Sequence, residues 1–574
     1  MSADAGSQGS KQLSLVHGKP LESEPGLGAL TIPGYFREVT QRYSEREALV
    51  HRTAEGVVRW SYQELWDRAF EVSRALIACG VGKDSRVGVL MTNRPEFLAT
   101  MFGVGLAGGV TVALNTFSTP HELDYLLNAS GVSILLFERN IAGKDFGAIL
   151  GDLEPALKTD APGAVLSEKF PFLRRGVVVD APGAAPLGGA IESWDDFLKH
   201  GASVPPGVVD AASAATKPAD LGVLFFSSGT TSLPKGILHS HRAVAVQWWR
   251  MPHLFNTHGD VRIWTANGFF WSGNFTLVVG NALSSGGSMV LQSVFKPDES
   301  VALMMAEGVT YPIASPHQWA RMQDAPNYES ADFSKLRYID WRYPIASHPT
   351  VKTDWNLPIS YGATETLAIN CSTRASGDEA DLRKDLRKDC YGAPLAGNTL
   401  KVIDPETGAI VPRGERGEFA IKGATLMMGY LGKTLEECFD PEGYYRTGDG
   451  GFVDEAGRMF FEGRLSDIIK TGGANVSPLE IDAVIREYPG VKVAQTIGLP
   501  DPLLGEMVVS CIVAHEGATL EEGAVRDFLK ERLASFKVPK KIFFLAEDEI
   551  SMTGSNKVKA GLLRELVAKK LSAD

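Results

Sequence analysis

The stretch LGVLFFSSGTTSLPKG, residues 221–236, decides the fold class of this chain. Its first six residues are an uninterrupted apolar run of strand length, and the small-residue run SSGTTSLPKG follows at once. Open α/β folds bind anions where a strand leads through such a loop into a helix. The next segment, ILHSHRAVAVQWW, can form that helix. We therefore predict an α/β fold with an anion-binding loop at 227–236.

The loop carries the chemistry that a polyphosphate needs. Its small residues expose backbone N–H groups and hydroxyls without steric obstruction, and Lys235 adds a compact positive charge. The loop does not follow the G-x-x-x-x-G-K-[ST] pattern of P-loop proteins. The alternative is a plain turn between a strand and a helix. The predicted phosphate-binding residues are Ser227, Ser228, Gly229, Thr230, Thr231 and Lys235.

Helix and strand patterns alternate on the N-terminal side of this loop. Residues 60–80 read as an amphipathic helix with Ser61 as its N-cap, and residues 85–91 form a short apolar run. Residues 95–114 and 121–138 repeat the helix–strand order. This alternation predicts parallel strands in an α/β arrangement. Residues 182–220 are rich in Ala, Gly and Pro and read mostly as a surface connection.

Composition limits the function classes. The 574 residues are 44% hydrophobic and 22% charged, which excludes a wholly disordered, collagenous or coiled-coil chain. A formal net charge of −12 argues against general nucleic-acid binding. The five cysteines form no CxxC pair, so we expect neither a zinc site nor a disulfide framework. We find no membrane span or signal peptide, and we expect a cytoplasmic location.

Further motifs extend the pattern toward the C-terminus. FSSGTTSLPKG (226–236) is similar to the phosphate loop of the adenylate-forming enzymes, which comprise acyl-CoA synthetases, peptide-synthetase adenylation domains and beetle luciferases. YGATET (361–366) resembles their adenine and magnesium motif, and YRTGD (445–449) resembles their ribose motif. GRLSDIIKTGGANVSPLEID (463–482) resembles the hinge and the loop after it, and GSNKVKAG (554–561) resembles the catalytic-lysine motif. All five occur in the family's order.

The resemblance implies a fold and a domain division. We expect a large N-terminal domain over residues 29–463, with α/β lobes and a smaller β-rich lobe. A hinge at 464–466, with Ser466 as the hinge residue, would lead into a small mobile α+β C-terminal domain over 467–574. Residues 1–28 are expected to be a flexible tail.

The resemblance also implies roles for the nucleotide-binding residues. Tyr361 resembles the residue that stacks on adenine, and Thr364 resembles the α-phosphate contact. Glu365 resembles the Mg²⁺ ligand, in keeping with the preference of a hard cation for carboxylate oxygen. The Asp449 carboxylate is suited to accept hydrogen bonds from vicinal ribose hydroxyls. Arg464 resembles the second ribose contact.

The resemblance implies roles for three further residues in the C-terminal domain. Lys557 resembles the lysine that bridges the acyl carboxylate and the α-phosphate. Lys559 lies two residues further on, but the NKV context favours Lys557. Gly472 and Gly473 resemble the loop that lines the pantetheine tunnel.

The acyl pocket departs from the family in two places. In ANGFFWSGNF (266–275), Trp271 stands where relatives often have His, and 336–350 replaces a stretch of small residues. No Asp lies between Asp260 and Asp298 to pair with a substrate ammonium group, so we expect an acid that lacks an α-amino group. The aromatic residues suit a hydrophobic acid, although core packing is the alternative for each. The candidate pocket residues are Phe270, Trp271, Asn274, Trp341 and Tyr343.

The leading functional hypothesis is an ATP-dependent, AMP-forming carboxylate–CoA ligase that uses Mg²⁺. Its partners would be a small carboxylic acid, ATP and CoA, and a homodimer is a further expectation. The alternatives are an adenylation enzyme that loads a carrier protein, a luciferase-like oxygenase and a non-catalytic nucleotide-binding scaffold. A kinase or ATPase would differ by releasing ADP.

Overall fold

The computed structural model describes residues 12–181, 183–227, 234–340, 343–376, 390–471, 474–551 and 558–573. Strands and helices alternate through most of this length. The strands are β1 (Leu15–His17), β2 (Glu47–Thr53), β3 (Gly56–Ser61), β4 (Arg86–Leu90), β5 (Val110–Ala113), β6 (Ile134–Glu138), β7 (Asn140–Ile141), β8 (Lys144–Asp145), β9 (Arg175–Val179), β10 (Ile191–Ser193), β11 (Leu221–Phe226), β12 (Gly236–Ser240), β13 (Arg262–Thr265), β14 (Ser288–Leu291), β15 (Tyr311–Pro312), β16 (Ser360–Tyr361), β17 (Cys371–Ser372), β18 (Cys390–Pro394), β19 (Asn398–Ile403), β20 (Gly417–Gly423), β21 (Gly429–Tyr430), β22 (Tyr445–Val453), β23 (Met459–Arg464), β24 (Ile469–Thr471), β25 (Ala474–Val476), β26 (Val491–Asp501), β27 (Gly505–Ala514) and β28 (Lys541–Phe544).

Helices connect most of these strands, and none in the described part of the chain is long and apolar enough to cross a membrane. The α-helices are α1 (Ile32–Arg42), α2 (Tyr62–Ala78), α3 (Pro95–Leu106), α4 (Pro120–Ser130), α5 (Phe146–Leu153), α6 (Ala156–Thr159), α7 (Trp194–His200), α8 (Pro206–Ala215), α9 (His241–Phe255), α10 (Ser272–Ser285), α11 (Pro297–Ala306), α12 (Pro316–Gln323), α13 (Leu435–Cys438), α14 (Pro478–Ile485), α15 (Glu522–Lys530) and α16 (Ala560–Ala573). Short 3₁₀ turns lie at Leu21–Ser23, Gly201–Ser203, Pro344–Ser347, Thr364–Thr366, Thr373–Ser376 and Glu547–Glu549.

Two mostly parallel sheets form the α/β part of the molecule. The first, sheet A, has the order β10-β9-β6-β4-β5-β11-β12-β21 and is parallel from β10 to β11. The second, sheet B, has the order β15-β13-β14-β2-β3 and is parallel from β15 to β2. The predicted α/β class is confirmed, because apolar runs such as LGVLFF supply strands that are buried on both faces.

The main core lies between sheets A and B, where it is filled by α1, α2, α3, α9 and α10. At its centre the rings of Phe36 and Phe102 stack at 3.9 Å, and Trp248 packs against Phe102 at 5.8 Å. Helices also cover the outer face of each sheet, so both sheets are sandwiched between apolar layers. The capped helix predicted at 60–80 is confirmed as α2, because Ser61 and Glu64 form a reciprocal capping box at its start.

The segment after the predicted phosphate loop differs from the expectation. Residues 236–240 are strand β12, which pairs antiparallel with β11, and helix α9 begins only at His241. The loop therefore connects two strands of a hairpin rather than a strand and a helix. Ile237 and Leu238 pair with Phe225 and Leu224, so the apolar residues read as helical complete sheet A instead.

Two segments that were predicted to be a surface connection and a flexible tail contain regular secondary structure in their described parts. Residues 182–220 contain β10, α7 and α8, because Phe197 and Val209 are buried in the main core. The expected tail also enters the fold within its described part: Leu15–His17 pairs with β19 at the edge of an antiparallel sheet. This eight-stranded sheet, sheet C, has the order β1-β19-β20-β22-β23-β18-β17-β16 and forms the β-rich part of the molecule.

The C-terminal residues form a separate sheet, sheet D, with the order β25-β24-β27-β26 and β28 beside β27. Helices α14, α15 and α16 pack on its two faces. The preceding strand of sheet C ends at Arg464, so this α+β unit begins close to the predicted boundary. Lys492 on β26 connects it to the larger part of the chain by an ion pair of 3.1 Å with Asp324. All five cysteines are free.

A buried carboxyl group in this unit gives a pH-dependent prediction. Burial raises the pKa of Asp482 to about 7, against the hydrogen bond from Thr496 and the charge of Arg486. Between about pH 4 and pH 7 the unfolded chain releases this proton while the folded chain keeps it, so the stability contribution of Asp482 falls as pH rises and then levels off. The stability difference between Asp482→Asn and the parent should therefore shift in favour of the variant by about 3 kcal/mol between pH 5 and pH 8.

The measurement is calorimetric unfolding of the parent and the variant at both pH values. The exposed carboxylate Asp527 on α15 provides the control, since Asp527→Asn should show no such shift. A stability difference for Asp482→Asn that is equal at pH 5 and pH 8 would contradict the raised pKa.

Candidate functional site

The hairpin of β11 and β12 forms one wall of the candidate site. The Ser227 N–H donates to the carbonyl oxygen of Lys235 at 3.0 Å and closes the base of the predicted phosphate loop. Lys235 is exposed, and its Nζ lies 5.2 Å from the ring centre of Tyr430. Tyr430 belongs to β21, which pairs with β12 in sheet A. The lysine therefore lies on the side of the hairpin that faces the residues described next.

Tyr361, Asp449 and Arg464 form the first cluster of predicted nucleotide-binding residues. Asp449 and Arg464 face each other across the antiparallel pair β22–β23, and Arg464 Nε lies 2.9 Å from Asp449 Oδ1. The hydroxyl of Tyr361, at the end of β16, donates to Asp449 Oδ2. Arg464 also donates to the carbonyl oxygen of Thr447 at 2.7 Å. The structure thus brings together three residues that are far apart in the sequence.

The electrostatics of this cluster follow from burial next to one carboxylate. Burial and the Asp449 carboxylate both raise the pKa of the Tyr361 hydroxyl far above its usual value, so the group stays a neutral donor. Burial alone would lower the pKa of Arg464, but the attraction of Asp449 raises it overall. The cluster therefore presents a fixed carboxylate and a fixed positive charge side by side.

Glu365 lies in a second polar cluster that the sequence motifs revealed only in part. Its Oε1 accepts a hydrogen bond of 2.8 Å from Tyr430, and the hydroxyls of Tyr430 and Tyr445 lie 3.0 Å apart. Burial and the Glu365 carboxylate raise the pKa of Tyr430 above its usual value. Tyr430 was missed because it is 65 residues from Glu365 in the sequence. The antiparallel pairing of β21 with β12 brings Tyr430 near, and the N–H of Met427, just before β21, donates to the Glu365 carbonyl oxygen at 2.7 Å.

The donor set around Glu365 fits Mg²⁺. Magnesium is often bound by one or two carboxylates together with the phosphate oxygens of its substrate, so one oriented carboxylate beside a phosphate loop is an adequate protein contribution. Among the described residues, the one group of three close metal-binding side chains is Cys79, Glu192 and His200. There Arg175 already pairs with Glu192 at 2.5 Å.

Thr364 is held from two sides. Its hydroxyl lies 3.3 Å from that of Ser272, the first residue of α10, and its carbonyl oxygen lies 2.8 Å from His239 Nε2 on β12. Burial lowers the pKa of His239 to about 4, so this imidazole is neutral at physiological pH and Nε2 carries the hydrogen. The sequence analysis did not identify His239.

The predicted acyl-pocket residues fall into two groups. Phe270 and Trp271 lie together just before α10, with ring centres 5.2 Å apart, and the half-buried Asn274 follows in the first turn of that helix. The exposed ring of Phe117 meets Phe270 at 6.0 Å. This group adjoins Thr364 through Ser272. Tyr343 instead stacks on Trp319 at 5.6 Å in the core outside sheet B, as the packing alternative predicted.

A single buried side chain anchors the aromatic loop before α10. Asn93 donates to the carbonyl oxygen of Asn267 at 2.9 Å and accepts from the Phe269 N–H at 3.0 Å. Asn93 follows β4 of sheet A, whereas residues 266–271 follow β13 of sheet B. One amide therefore joins the ends of the two parallel sheets at the edge of the candidate pocket.

The remaining predicted residues are of two kinds. Ser466 is exposed in the turn between β23 and β24, where a hinge was expected. The others lie outside the described residues: Ser228, Gly229, Thr230, Thr231, Trp341, Gly472, Gly473 and Lys557.

Comparison with known proteins agrees with this geometry. Residues 36–431 match the model of the AMP-binding enzyme family, and residues 480–557 match that of the AMP-binding enzyme C-terminal domain. The chain is 28% identical to an indoleacetate–CoA ligase of Aromatoleum aromaticum, over 89% of this chain and 94% of the other. It is 26% identical to a mitochondrial medium-chain acyl-CoA ligase of Danio rerio, over 97% and 91%. The crystal structure of ATP-bound MatB from Rhodopseudomonas palustris superposes with a TM-score of 0.72 at 26% identity, over 93% of this chain and 98% of that one.

The Tyr361 hydroxyl provides a test of the first cluster. Tyr361→Phe keeps the ring but removes the donor that orients Asp449, so we expect the affinity for ATP to fall about tenfold, since a hydrogen bond to a charged group contributes roughly 1.5 kcal/mol. Tyr361→Leu also removes the ring and should lower the affinity further. Titration calorimetry with a nonhydrolysable ATP analogue measures both. Tyr328→Phe, in a separate core cluster, is the control, and unchanged affinity in Tyr361→Phe would refute the assignment.

Proposed function

The chain belongs to the AMP-binding enzyme family, and from this premise we propose that it is an ATP-dependent carboxylate–CoA ligase that forms AMP. The observation that carries the proposal is the convergence of the Tyr361–Asp449–Arg464 cluster, Glu365 and the β11–β12 hairpin on one site. An aromatic loop suited to an acyl group adjoins that site through Ser272.

The reaction has two steps. A carboxylate is a poor acyl donor because its leaving group would be oxide. One carboxylate oxygen therefore attacks the α-phosphate of ATP, the bond to the β-phosphate bridging oxygen breaks, and pyrophosphate leaves. The thiol of CoA then loses its proton and attacks the acyl carbonyl of the mixed anhydride. The C–O bond to the phosphate breaks, which yields the thioester and AMP.

The site must bring two anions together, so positioning and charge neutralisation dominate catalysis. Asp449 would accept hydrogen bonds from the ribose hydroxyls, and Arg464 would hold Asp449 and contact the ribose. Tyr361 would stack on adenine. Thr364 would donate to the α-phosphate. Lys235, together with the hydroxyls and N–H groups of residues 227–231, would hold the β- and γ-phosphates.

Glu365 would hold the metal ion. Bound there, Mg²⁺ would neutralise phosphate charge, and Tyr430 would keep the carboxylate pointed toward it through the 2.8 Å hydrogen bond. Because the raised pKa of Tyr430 keeps its hydroxyl protonated, this orientation should persist across the physiological pH range.

The C-terminal unit would supply the remaining groups. We propose that Lys557 bridges the acyl carboxylate and the α-phosphate, where its ammonium group would offset the charge of the transition state. Rotation at 464–466, about Ser466, would then exchange this lysine for the loop of Gly472 and Gly473, which would line the pantetheine tunnel. Under this proposal residues 29–463 and 467–574 move as two bodies.

The acid is proposed to be hydrophobic and to lack an α-amino group: an aromatic, aryl-alkanoic or medium-chain acid. Phe270 and Trp271 adjoin Thr364, and the segment between Asp260 and Asp298 supplies no carboxylate for an ammonium group. The similarity to ligases named for indoleacetate and medium-chain acids supports this range. The expected homodimer and cytoplasmic location stay predictions.

Product analysis distinguishes the functions. The full chain, incubated with ATP, Mg²⁺, CoA and a panel of carboxylic acids, should release AMP and pyrophosphate and form an acyl-CoA. The panel should include indoleacetate, benzoate and octanoate, with phenylalanine as the amino-acid control. ADP as the nucleotide product would refute the proposal. Adenylate formation without any thioester to CoA would favour the carrier-protein alternative, and neither product would favour a scaffold.

The role of Lys557 is tested by separating the half-reactions. Lys557→Ala should lower the rate of adenylate formation by about 100-fold or more, as expected for loss of a group that stabilises transition-state charge. It should change thioester formation from preformed acyl adenylate far less. Lys559→Ala is the matched control, since Lys559 lies at the start of α16 and its N–H donates to the Ser551 carbonyl at 2.9 Å. Equal loss of both half-reactions in Lys557→Ala would refute the role.

A further inference from the structure

Two fully buried polar side chains, His239 and Gln247, direct their donors at one short loop. His239 on β12 donates from Nε2 to the carbonyl oxygen of Thr364 at 2.8 Å. Gln247 on α9 has its side-chain nitrogen 2.7 Å from the carbonyl oxygens of Leu367 and Ile369, and 3.2 Å from that of Thr366. Both donors are 0% exposed. Three of the six carbonyls of residues 364–369 are therefore bound by one strand–helix segment, and the Thr366 carbonyl shares a Gln247 N–H at the longer distance.

The loop follows a tight backbone path, which its own hydrogen bonds hold in part: the Leu367 N–H donates to the Thr364 carbonyl and the Ala368 N–H to the Ala363 carbonyl, each at 3.0 Å. Leu367 and Ala368 have φ angles of 52° and 80°. Residues other than glycine adopt this left-handed conformation at a cost of about 1–3 kcal/mol each. At Gly362 a side chain is excluded, because a Cβ would lie 1.9 Å from the carbonyl oxygen of Ala368. The chain thus folds back tightly on itself immediately after Thr364 and Glu365. The buried hydrogen bonds from His239 and Gln247 help to stabilise this backbone conformation.

We propose that His239 and Gln247 are positioning residues for adenylate formation, which hold Thr364 and Glu365 in register with the phosphate loop. Both side chains come from the segment that follows that loop: β12 begins at Gly236, and α9 continues directly from it. Lys235, at the end of the phosphate loop, and the residues proposed to bind the α-phosphate and the metal would then be held by one strand–helix segment. This inference rests on the roles given to Thr364 and Glu365 in the proposed function.

If His239 only stabilised the fold, its replacement would lower thermal stability without a specific loss of activity. His241 provides a matched control for this distinction. His241 is also 0% exposed, and burial lowers its pKa to about 4 as well. Its Nδ1 accepts a hydrogen bond of 3.2 Å from the N–H of Ile32, the first residue of α1, and not from the nucleotide loop. His239 and His241 are two residues apart in the sequence, and replacing either one by Leu removes one buried imidazole. Only the first replacement removes a side-chain donor to the nucleotide loop, which leaves the Thr364 carbonyl with the 3.0 Å hydrogen bond from the Leu367 N–H alone.

The experiment compares His239→Leu, His239→Gln, Gln247→Met and His241→Leu in the full chain. The readouts are kcat and KM for acid-dependent ATP–pyrophosphate exchange, the affinity for α,β-methylene-ATP with Mg²⁺, and the thermal unfolding midpoint. His239→Leu and Gln247→Met should lower kcat and the analogue affinity by about 10- to 100-fold, the size expected for small misplacement of catalytic groups, with KM for the acid unchanged. His239→Gln restores an N–H donor at the position of Nε2 and should stay within about threefold of the parent.

His241→Leu should lose thermal stability as His239→Leu does, yet keep kcat and analogue affinity within about threefold. Equal activity and affinity in the two Leu variants would overturn the proposal, and so would a folded His239→Gln that is as impaired as His239→Leu. If His239→Leu does not fold, His239→Asn replaces it, because its shorter amide cannot reach the Thr364 carbonyl. A parent chain without exchange activity would refute the proposed function, whereas the analogue affinities would still decide the positioning roles.

Discussion

The candidate site depends on one constraint: a backbone carbonyl buried away from water needs a donor. The nucleotide loop at 361–370 turns back on itself inside the molecule, and its own N–H groups bind only some of its carbonyls. Further donors arrive from β12 and α9, which belong to the other side of the site. These hydrogen bonds tie the strand–helix segment that follows the phosphate-loop hairpin to the backbone around Thr364 and Glu365.

Local sequence information was enough for the architecture and for the motifs. The apolar run 221–226 predicted a buried strand, and Ser61 predicted a helix start, because both signals lie within a few residues. The motif residues Tyr361, Asp449 and Arg464 were also identified from short patterns, and the structure brings them into contact. The strand and helix signals are local, whereas the motif residues were identified through the family resemblance, and Tyr361 and Asp449 meet across 88 residues of sequence.

The errors arose where partners are distant in sequence. GILHS reads equally well as the start of a helix, and only β11 on one side and β21 on the other make it a strand. Tyr430 and His239 carry no local signature, because their partners Glu365 and Thr364 are contributed by another sheet or loop. Tyr343 is half-buried and stacks on Trp319 outside sheet B, so its place in the acyl pocket stays a prediction.

The contacts of Asn93 allow the acid-facing side chains to change independently of the residues that bind ATP. The aromatic loop is fastened through its backbone, by the Asn267 carbonyl and the Phe269 N–H, so its anchoring does not depend on which side chains follow at 270 and 271. The nucleotide loop has its own independent donors. Side chains that face the acid can therefore diverge among descendants of this chain while the machinery for ATP stays intact. A small set of such substitutions is a natural route by which one adenylating scaffold acquires many acids.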